Sequence, residues 1–290
     1  MTEGEATPAA VAGQGSRNLL MRVIAGAVLA PVAIAIAYAG GWPWITLVTL
    51  AAIGLYIEWL TIVGAAREMR VVGVGSIALA IAGCCLALGG IDAALLALVL
   101  GLAGIACFSP ERRRWNAAGF GYAAVAQLAS VWVRLDPDMG FVALVFVLLI
   151  VWATDIGGYV AGRGIGGPKL WPRVSPKKTW AGAIGGFLAS LIVAAGFAVF
   201  GSNKSDPTLT LKMAPLLVLA AVLSIASQFG DLFESAVKRR FDVKDSSHVI
   251  PGHGGLMDRL DGFVAAVLLA AFFGFLRGGV DGVGRGLMIW

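Results

Sequence analysis

Charge is scarce in this chain of 290 residues: 13% of positions are Asp, Glu, Lys or Arg, against roughly one-quarter in soluble globular domains. With 59% hydrophobic residues and a mean hydropathy of +0.86, that deficit excludes a water-soluble globular domain and makes the protein integral to a membrane. Cysteine is scarce as well. Cys84, Cys85 and Cys107 are odd in number and lie inside apolar runs, which excludes a disulfide framework or a metal-thiolate site and leaves them as small packing residues. No repeat of fixed period is present, and the matched broken spans of a pseudo-symmetric transporter are missing. Polar residues crowd into one half instead, an asymmetry that favours an enzyme. An ion-coupled membrane transporter is the alternative from another class, since acids within spans also mark ion pathways.

What is abundant is apolar sequence. A hydrocarbon core about 30 Å thick takes roughly 20 apolar residues of helix. Candidate spans lie near Leu19–Tyr38, Trp44–Val63, Val71–Leu88, Ile91–Phe108, Ala117–Val133, Gly140–Val160, Thr179–Phe200, Met213–Phe233 and Leu260–Leu276. The expected fold is all-α: a polytopic transmembrane helical bundle of about nine spans with a cytoplasmic N-terminus. Residues 1–18 read as a disordered tail. The next run, with Arg17, Arg22 and Ala35-Ile36-Ala37, resembles a secretory signal, but its length and the eight spans after it favour an uncleaved helix. Residues 19–133, with few ionisable groups, read as scaffold and oligomer surface. Residues 134–290 read as the catalytic region with its cytoplasmic loops. Glu58, in the second span, is either a functional intramembrane acid or a partly solvated interfacial one, and stands outside the candidate site. Gly101 and Gly104 read as ordinary helix packing.

The formal charge of +5 and isoelectric point near 9.3 invite a nucleic-acid partner, but topology explains them better. With the N-terminus inside, cytoplasmic segments collect all 22 Lys and Arg residues except Arg134, Lys204, Lys212, Arg277 and Arg285, as the positive-inside rule requires. Membrane lipids, the anionic ones above all, are the expected partners, and no nucleic acid.

Span parity brings three acids to one depth. The sixth and eighth spans run toward the cytoplasm and the ninth leaves it, so Asp155, Asp231 and Asp258 all fall near cytoplasmic helix ends. Clustered carboxylates repel one another unless a cation neutralises them. Asp258 and Asp261, three apart at the start of the ninth helix, project to one face and suit Mg²⁺, a hard cation with oxygen ligands; Asp261 can equally be a local ion-pair or capping residue. Ahead of them, Pro251-Gly252-His253-Gly254-Gly255 with Lys238, Arg239 and Lys244 forms a candidate triphosphate cradle at a helix N-terminus. His253 can donate to a phosphate oxygen, whereas His248 reads as peripheral. In Ser175-Pro176-Lys177-Lys178-Thr179-Trp180, two ammonium groups stand beside two hydroxyls that can cap the seventh helix or bind phosphate. Asp155 can pair with a loop lysine, bind a cation or contact substrate, and the sequence does not choose among these.

These residues resemble the phosphatidate cytidylyltransferase family, the CDP-diacylglycerol synthases. The resemblance is carried by Ser235-x-x-Lys238-Arg239, Lys244-Asp245, Pro251-x-His253-Gly254-Gly255 and Asp258-Arg259-x-Asp261. Upstream it extends to Asp155-x-Gly157-Gly158-Tyr159-x-x-Gly162-Arg163 and to Ser175–Trp180, covering the C-terminal half. Two departures occur: Ala181 stands where the family pattern has an acid before Gly182, and Ile156-Gly157-Gly158 replaces a pattern that offers a hydroxyl. A CDP-alcohol phosphotransferase is a poorer match, because its Asp-Gly-x-x-Ala-Arg pattern is absent. The resemblance implies that CTP and phosphatidate give CDP-diacylglycerol and pyrophosphate, with Mg²⁺ required, K⁺ as a second cation and a homodimer as the assembly. It implies metal at Asp231, Asp258 and Asp261, and triphosphate at Lys177, Lys178, Lys238, Arg239 and the His253–Gly255 turn. The lipid phosphate would fall to Arg259 or Lys244.

Overall fold

The computed structural model of the chain describes residues 30–109, 111–201, 211–244, 247 and 254–290. The expected tail of residues 1–18, the start of the first expected span, Lys204, Asp245, His248 and the Pro251–His253 part of the glycine-rich turn lie outside the described residues.

Apolar runs become helix throughout. They are α1 (Ala30–Ala39), α2 (Gly41–Ile62), α3 (Met69–Ala87), α4 (Ile91–Phe108), α5 (Arg113–Leu135), α6 (Gly140–Gly164), α7 (Trp180–Gly201), α8 (Met213–Arg240), α9 (Met257–Gly278) and α10 (Val283–Met288). Among the described residues seven helices, α2, α3, α4, α6, α7, α8 and α9, are long and apolar enough to cross a membrane, so the chain is a multi-pass helical bundle. The fifth expected span falls in α5, which is long enough at 23 residues but carries Arg113, Arg114, Asn116, Gln127, Ser130 and Arg134. Asn116, Gln127 and Ser130 turn inward and are buried, whereas Arg113 and Arg114 are exposed. Asn116 Nδ2 donates to Ser109 Oγ at 3.0 Å, and Gln127 Nε2 donates to Thr49 Oγ1 at 2.9 Å and to the Leu79 carbonyl at 3.1 Å. In lipid such pairings hold helices together where apolar surface gives no net drive.

Among the described residues a two-stranded sheet interrupts the helices. Between α6 and α7 the chain forms an antiparallel hairpin of β1 (Lys169–Trp171) and β2 (Ser175–Thr179), pairing Lys169 with Thr179 and Trp171 with Ser175. Gly166 and Gly167, with φ of 70° and 92°, supply the left-handed backbone that leads into it.

Glycine sets the two closest helix contacts near the hairpin. On α6, Gly157 lies against Ala189 and Gly185 of α7, and Gly186 of α7 lies against the Thr154 carbonyl. The Gly157-Gly158 pair thus admits a neighbouring helix. On α8, Gly230 sits on the Asp261 carbonyl of α9, while Gly262 faces Ser227 Oγ. A Cβ at either position would force the helices apart. Gly101 and Gly104 of α4 likewise meet Ala78 and Val74 of α3, ordinary packing. The three cysteines are free, and Cys84 and Cys107 are exposed on the bundle surface.

At the far end, where α6 begins, buried Asp136 ties three segments together. Its Oδ1 accepts the amides of Asp138 and Met139 at 3.0 and 3.1 Å, and its Oδ2 accepts Arg285 N and Nε at 2.8 and 3.2 Å. This anchors α10 beneath α6 and leaves the other end of the bundle to the polar residues.

Candidate active site

Helix α8 carries Asp231, Glu234 and Lys238 at spacings of three and four, so all three project from one face near its C-terminus. Helix α9 opens with Asp258 and Asp261. The approach of Gly230 to the Asp261 carbonyl brings these two faces together. Lys238 Nζ lies 2.5 Å from Asp258 Oδ1 and 3.2 Å from Glu234 Oε1, and Glu234 lies against both Asp258 and Asp261. Glu234 is 2% exposed, and its Oε1 contacts Lys238 as an ion pair without hydrogen-bond geometry. Sequence reading passed over this acid. The available signal was its i,i+4 spacing to Lys238.

A cavity of about 610 Å³ opens beside this cluster. Helix α6 contributes Asp155, Tyr159 and Arg163 to its wall; the hairpin contributes Lys177, Lys178 and Thr179; the start of α7 contributes Gly182 and Ala183; α8 contributes Asp231 and α9 Arg259. Lys178 Nζ forms an ion pair with Asp231. Arg163 Nη1 donates to Tyr159 Oη at 2.7 Å, an i,i+4 contact that holds the guanidinium at the rim. Cations from three elements therefore face two carboxylates around one polar space.

A second, apolar space of about 400 Å³ adjoins the first. Trp171, Trp180, Phe187, Ile225, Phe229 and Leu232 line it, and Leu170, Ala183 and Gln228 belong to both walls. Gln228 Nε2 donates to the Ala183 carbonyl at 3.3 Å, bracing α8 against α7 at the junction.

The remaining candidates take varied positions. Thr179 is buried and its Oγ1 accepts the Gly182 amide at 3.1 Å, which makes it the N-cap of α7. Ser175 opens β2. Arg239 is exposed and its Nε reaches the Val174 carbonyl of the hairpin at 3.5 Å, and Lys244 is exposed beyond α8. Gly254 adopts φ of 83°, and the Gly255 amide donates to Asp258 Oδ2 at 3.1 Å. His253 lies outside the described residues. Lys238 is committed to Asp258 and Glu234, so the cation nearest the acids serves the protein's own carboxylates.

Chemically, the arrangement offers hard carboxylate oxygens on α8 and α9 beside a cation-lined space. No three His, Cys, Asp or Glu side chains among the described residues converge at metal-ligand spacing. The ammonium groups of Lys178 and Lys238 instead neutralise Asp231 and Asp258. Charge of both signs at close quarters beside an apolar channel suits an amphiphilic, anionic reactant.

Residues 20–276 match the model of the cytidylyltransferase family. Among curated proteins, the phosphatidate cytidylyltransferase of Brucella suis biovar 1 (strain 1330) is 40% identical over 266 residues, covering 89% of this chain and 93% of that protein. The phosphatidate cytidylyltransferase of Haemophilus influenzae is 43% identical over 142 residues, 48% of each chain. That of Bacillus subtilis (strain 168) is 40% identical over 132 residues, 46% of this chain and 47% of its own. With its fold, its polar cavity and a match that spans most of its length, the chain belongs to the cytidylyltransferase family.

Proposed function

We propose that the protein is a phosphatidate cytidylyltransferase, transferring CMP from CTP to phosphatidate to give CDP-diacylglycerol and pyrophosphate. The observation that carries this reading is the shared wall of the two spaces. Leu170, Ala183 and Gln228 border both a cation-lined cavity and an apolar groove, and the lipid reactant needs both at once.

In this reading an ionised phosphatidate oxygen attacks the α-phosphorus of CTP, the bond to the β-phosphate oxygen breaks, and pyrophosphate departs in line. The nucleophile already carries its charge, so no strong general base is required. Nucleotidyl transfer then depends on alignment and on neutralising phosphate charge. Lys177 and Lys178 bind the triphosphate, with Arg239 and the Gly254–Gly255 turn nearby. Arg259 takes the lipid phosphate. The acyl chains lie in the groove between Trp180, Phe187 and Phe229, and Lys244 steers anions from outside.

The donor chemistry fits Mg²⁺, a hard ion served by carboxylates. Asp231, Asp258 and Asp261 would hold it by drawing together, since they do not stand at metal-ligand spacing here, with Glu234, ion-paired to Lys238 through its buried Oε1, as a neighbouring acid. When bound, the ion supplies positive charge to the phosphates. K⁺ as a second cation, nine spans, a cytoplasmic N-terminus and a homodimer complete the proposal. The cell membrane, with the cavity on its cytoplasmic face, is the proposed location, supported by the basic residues gathered at that end.

The test is direct. Detergent-solubilised protein given CTP labelled at the α-phosphate and phosphatidate yields a chloroform-soluble labelled product when Mg²⁺ is present and none when it is chelated. Absence of product across several acyl chains overturns the reading.

A further inference from the structure

Glu58 sits on α2, in the half of the chain with few ionisable groups, and is 2% exposed. A carboxylate at such a position requires donors, and it finds them almost two hundred residues away. Leu256 N donates to Glu58 Oε1 and Met257 N to Oε2, each at 2.7 Å. Ser247 Oγ donates to Oε1 at 2.5 Å. Helix α9 begins at Met257, and no side chain of its own N-cap residue, Leu256, satisfies the first amides. Glu58 performs that office from another helix, with its negative charge at the positive end of the helix dipole. One turn earlier on α2, Gly54 makes room for the same residue: a Cβ there would stand 2.9 Å from Leu256 Cδ2. The amide just ahead, Gly255 N, holds Asp258 Oδ2.

We propose that Glu58 is a positioning residue for the transfer reaction. By gripping both amides at the start of α9 it fixes the turn from which Asp258 projects toward Lys238 and the acids of α8. The inference rests on the reading of Asp258 as a metal-holding carboxylate. A second consequence is that the amides of Leu256 and Met257 are committed to a protein carboxylate, and so are not donors to the triphosphate.

The experiment uses full-length solubilised protein and combines hydrogen exchange with kinetics. In the wild type, the amides of Leu256 and Met257 exchange slowly. Glu58→Gln, which offers one acceptor oxygen and turns an NH₂ toward an amide N–H, speeds their exchange. It also lowers kcat and raises the Mg²⁺ concentration for half-maximal rate, each by about 10-fold or more, the usual scale for losing a group that orients a metal ligand. KM for phosphatidate stays at the wild-type value, because the apolar groove is built from other helices. Glu58→Asp, which retains the charge, recovers part of both losses.

Fast exchange of the two amides in the wild type overturns the proposal. So does a folded Glu58→Gln protein with wild-type kcat and Mg²⁺ dependence. Failure of both variants to fold would make Glu58 a structural cap and overturn the positioning role as well. Normal turnover by Asp258→Asn would instead remove the role given to Asp258, while slow exchange at Leu256 and Met257 would still support the grip itself.

Discussion

Lys238 Nζ stands 2.5 Å from Asp258 Oδ1 and 3.2 Å from Glu234 Oε1, so one ammonium group joins the last turns of α8 to the first turn of α9. All three side chains are largely buried, and removing one member of such a cluster leaves uncompensated charge. The Gly255 amide still holds Asp258 Oδ2 at 3.1 Å, but the charge that Lys238 balances is lost.

Lys238→Met keeps the length of the side chain and deletes the charge. Turnover should fall at least roughly 100-fold, about 2.7 kcal/mol of barrier, in protein that still inserts and elutes as the wild type does. Initial-rate assays on purified protein check this. Wild-type turnover would mean that the ammonium group plays no part in holding Asp258.

Gly230 offers a test of how the acids are brought together. Gly230→Ala pushes a methyl group into the Asp261 carbonyl and should destabilise the protein by roughly 1–3 kcal/mol through overpacking. Thermal unfolding in detergent should shift downward, and activity should fall with it, since Asp231 and Asp261 lie on the two faces being separated. An unchanged melting temperature would show that α8 and α9 have slack here.

Asp136 gives the contrasting case. Its carboxylate accepts four donors at the end of the bundle remote from the cavity. Asp136→Asn should cost about 1–3 kcal/mol of stability, as unmatched buried hydrogen-bonding groups do, yet leave kcat of the folded fraction at the wild-type value. Thermal unfolding paired with kcat normalised to folded protein separates the two effects. A drop in kcat at full stability would reveal coupling between the ends.

Most of the bundle is legible in the sequence because apolar runs near 20 residues admit few other structures in lipid. Among the described residues, seven of the expected spans appear as helices that satisfy length and composition. The hairpin at Lys169–Thr179 was not readable: its strands are three and five residues long, one contains Pro176, and neither alternates apolar with polar residues along its sequence. The acids at the ends of α8 and α9 could be picked out from their place at membrane borders. Glu234 offers only its i,i+4 spacing to Lys238, and it looks like the start of a charged loop until the helix is seen to continue through Arg240. Lys238 read as a phosphate donor for the same reason, as its partners are set by the three-dimensional meeting of two helices. Glu58 was visible as an unusual intramembrane acid, but the amides it binds lie 198 and 199 positions away. No local spacing encodes such a contact.

The two departures from the family pattern have structural settings. Ala181 and Gly182 form the first turn of α7, where the Thr179 hydroxyl already takes the Gly182 amide. Thr179→Ala should therefore cost about 1 kcal/mol of stability, a typical loss for an N-cap, read as a lower melting temperature. At the other departure Ile156, standing where the pattern offers a hydroxyl, is exposed, while Gly157 and Gly158 beside it serve the contact of α6 with α7.

The proposed transfer requires the carboxylates of α8 and α9, with Asp231 on the cavity wall and Asp258 beside it, against Lys238. It is tested most directly by the turnover of Asp231→Asn and Asp258→Asn in correctly inserted protein, measured with α-labelled CTP, phosphatidate and saturating Mg²⁺. Each variant is predicted to lose at least roughly 100-fold, about 2.7 kcal/mol of barrier. Near-normal formation of labelled lipid by either one would rule out that carboxylate's part in the transfer.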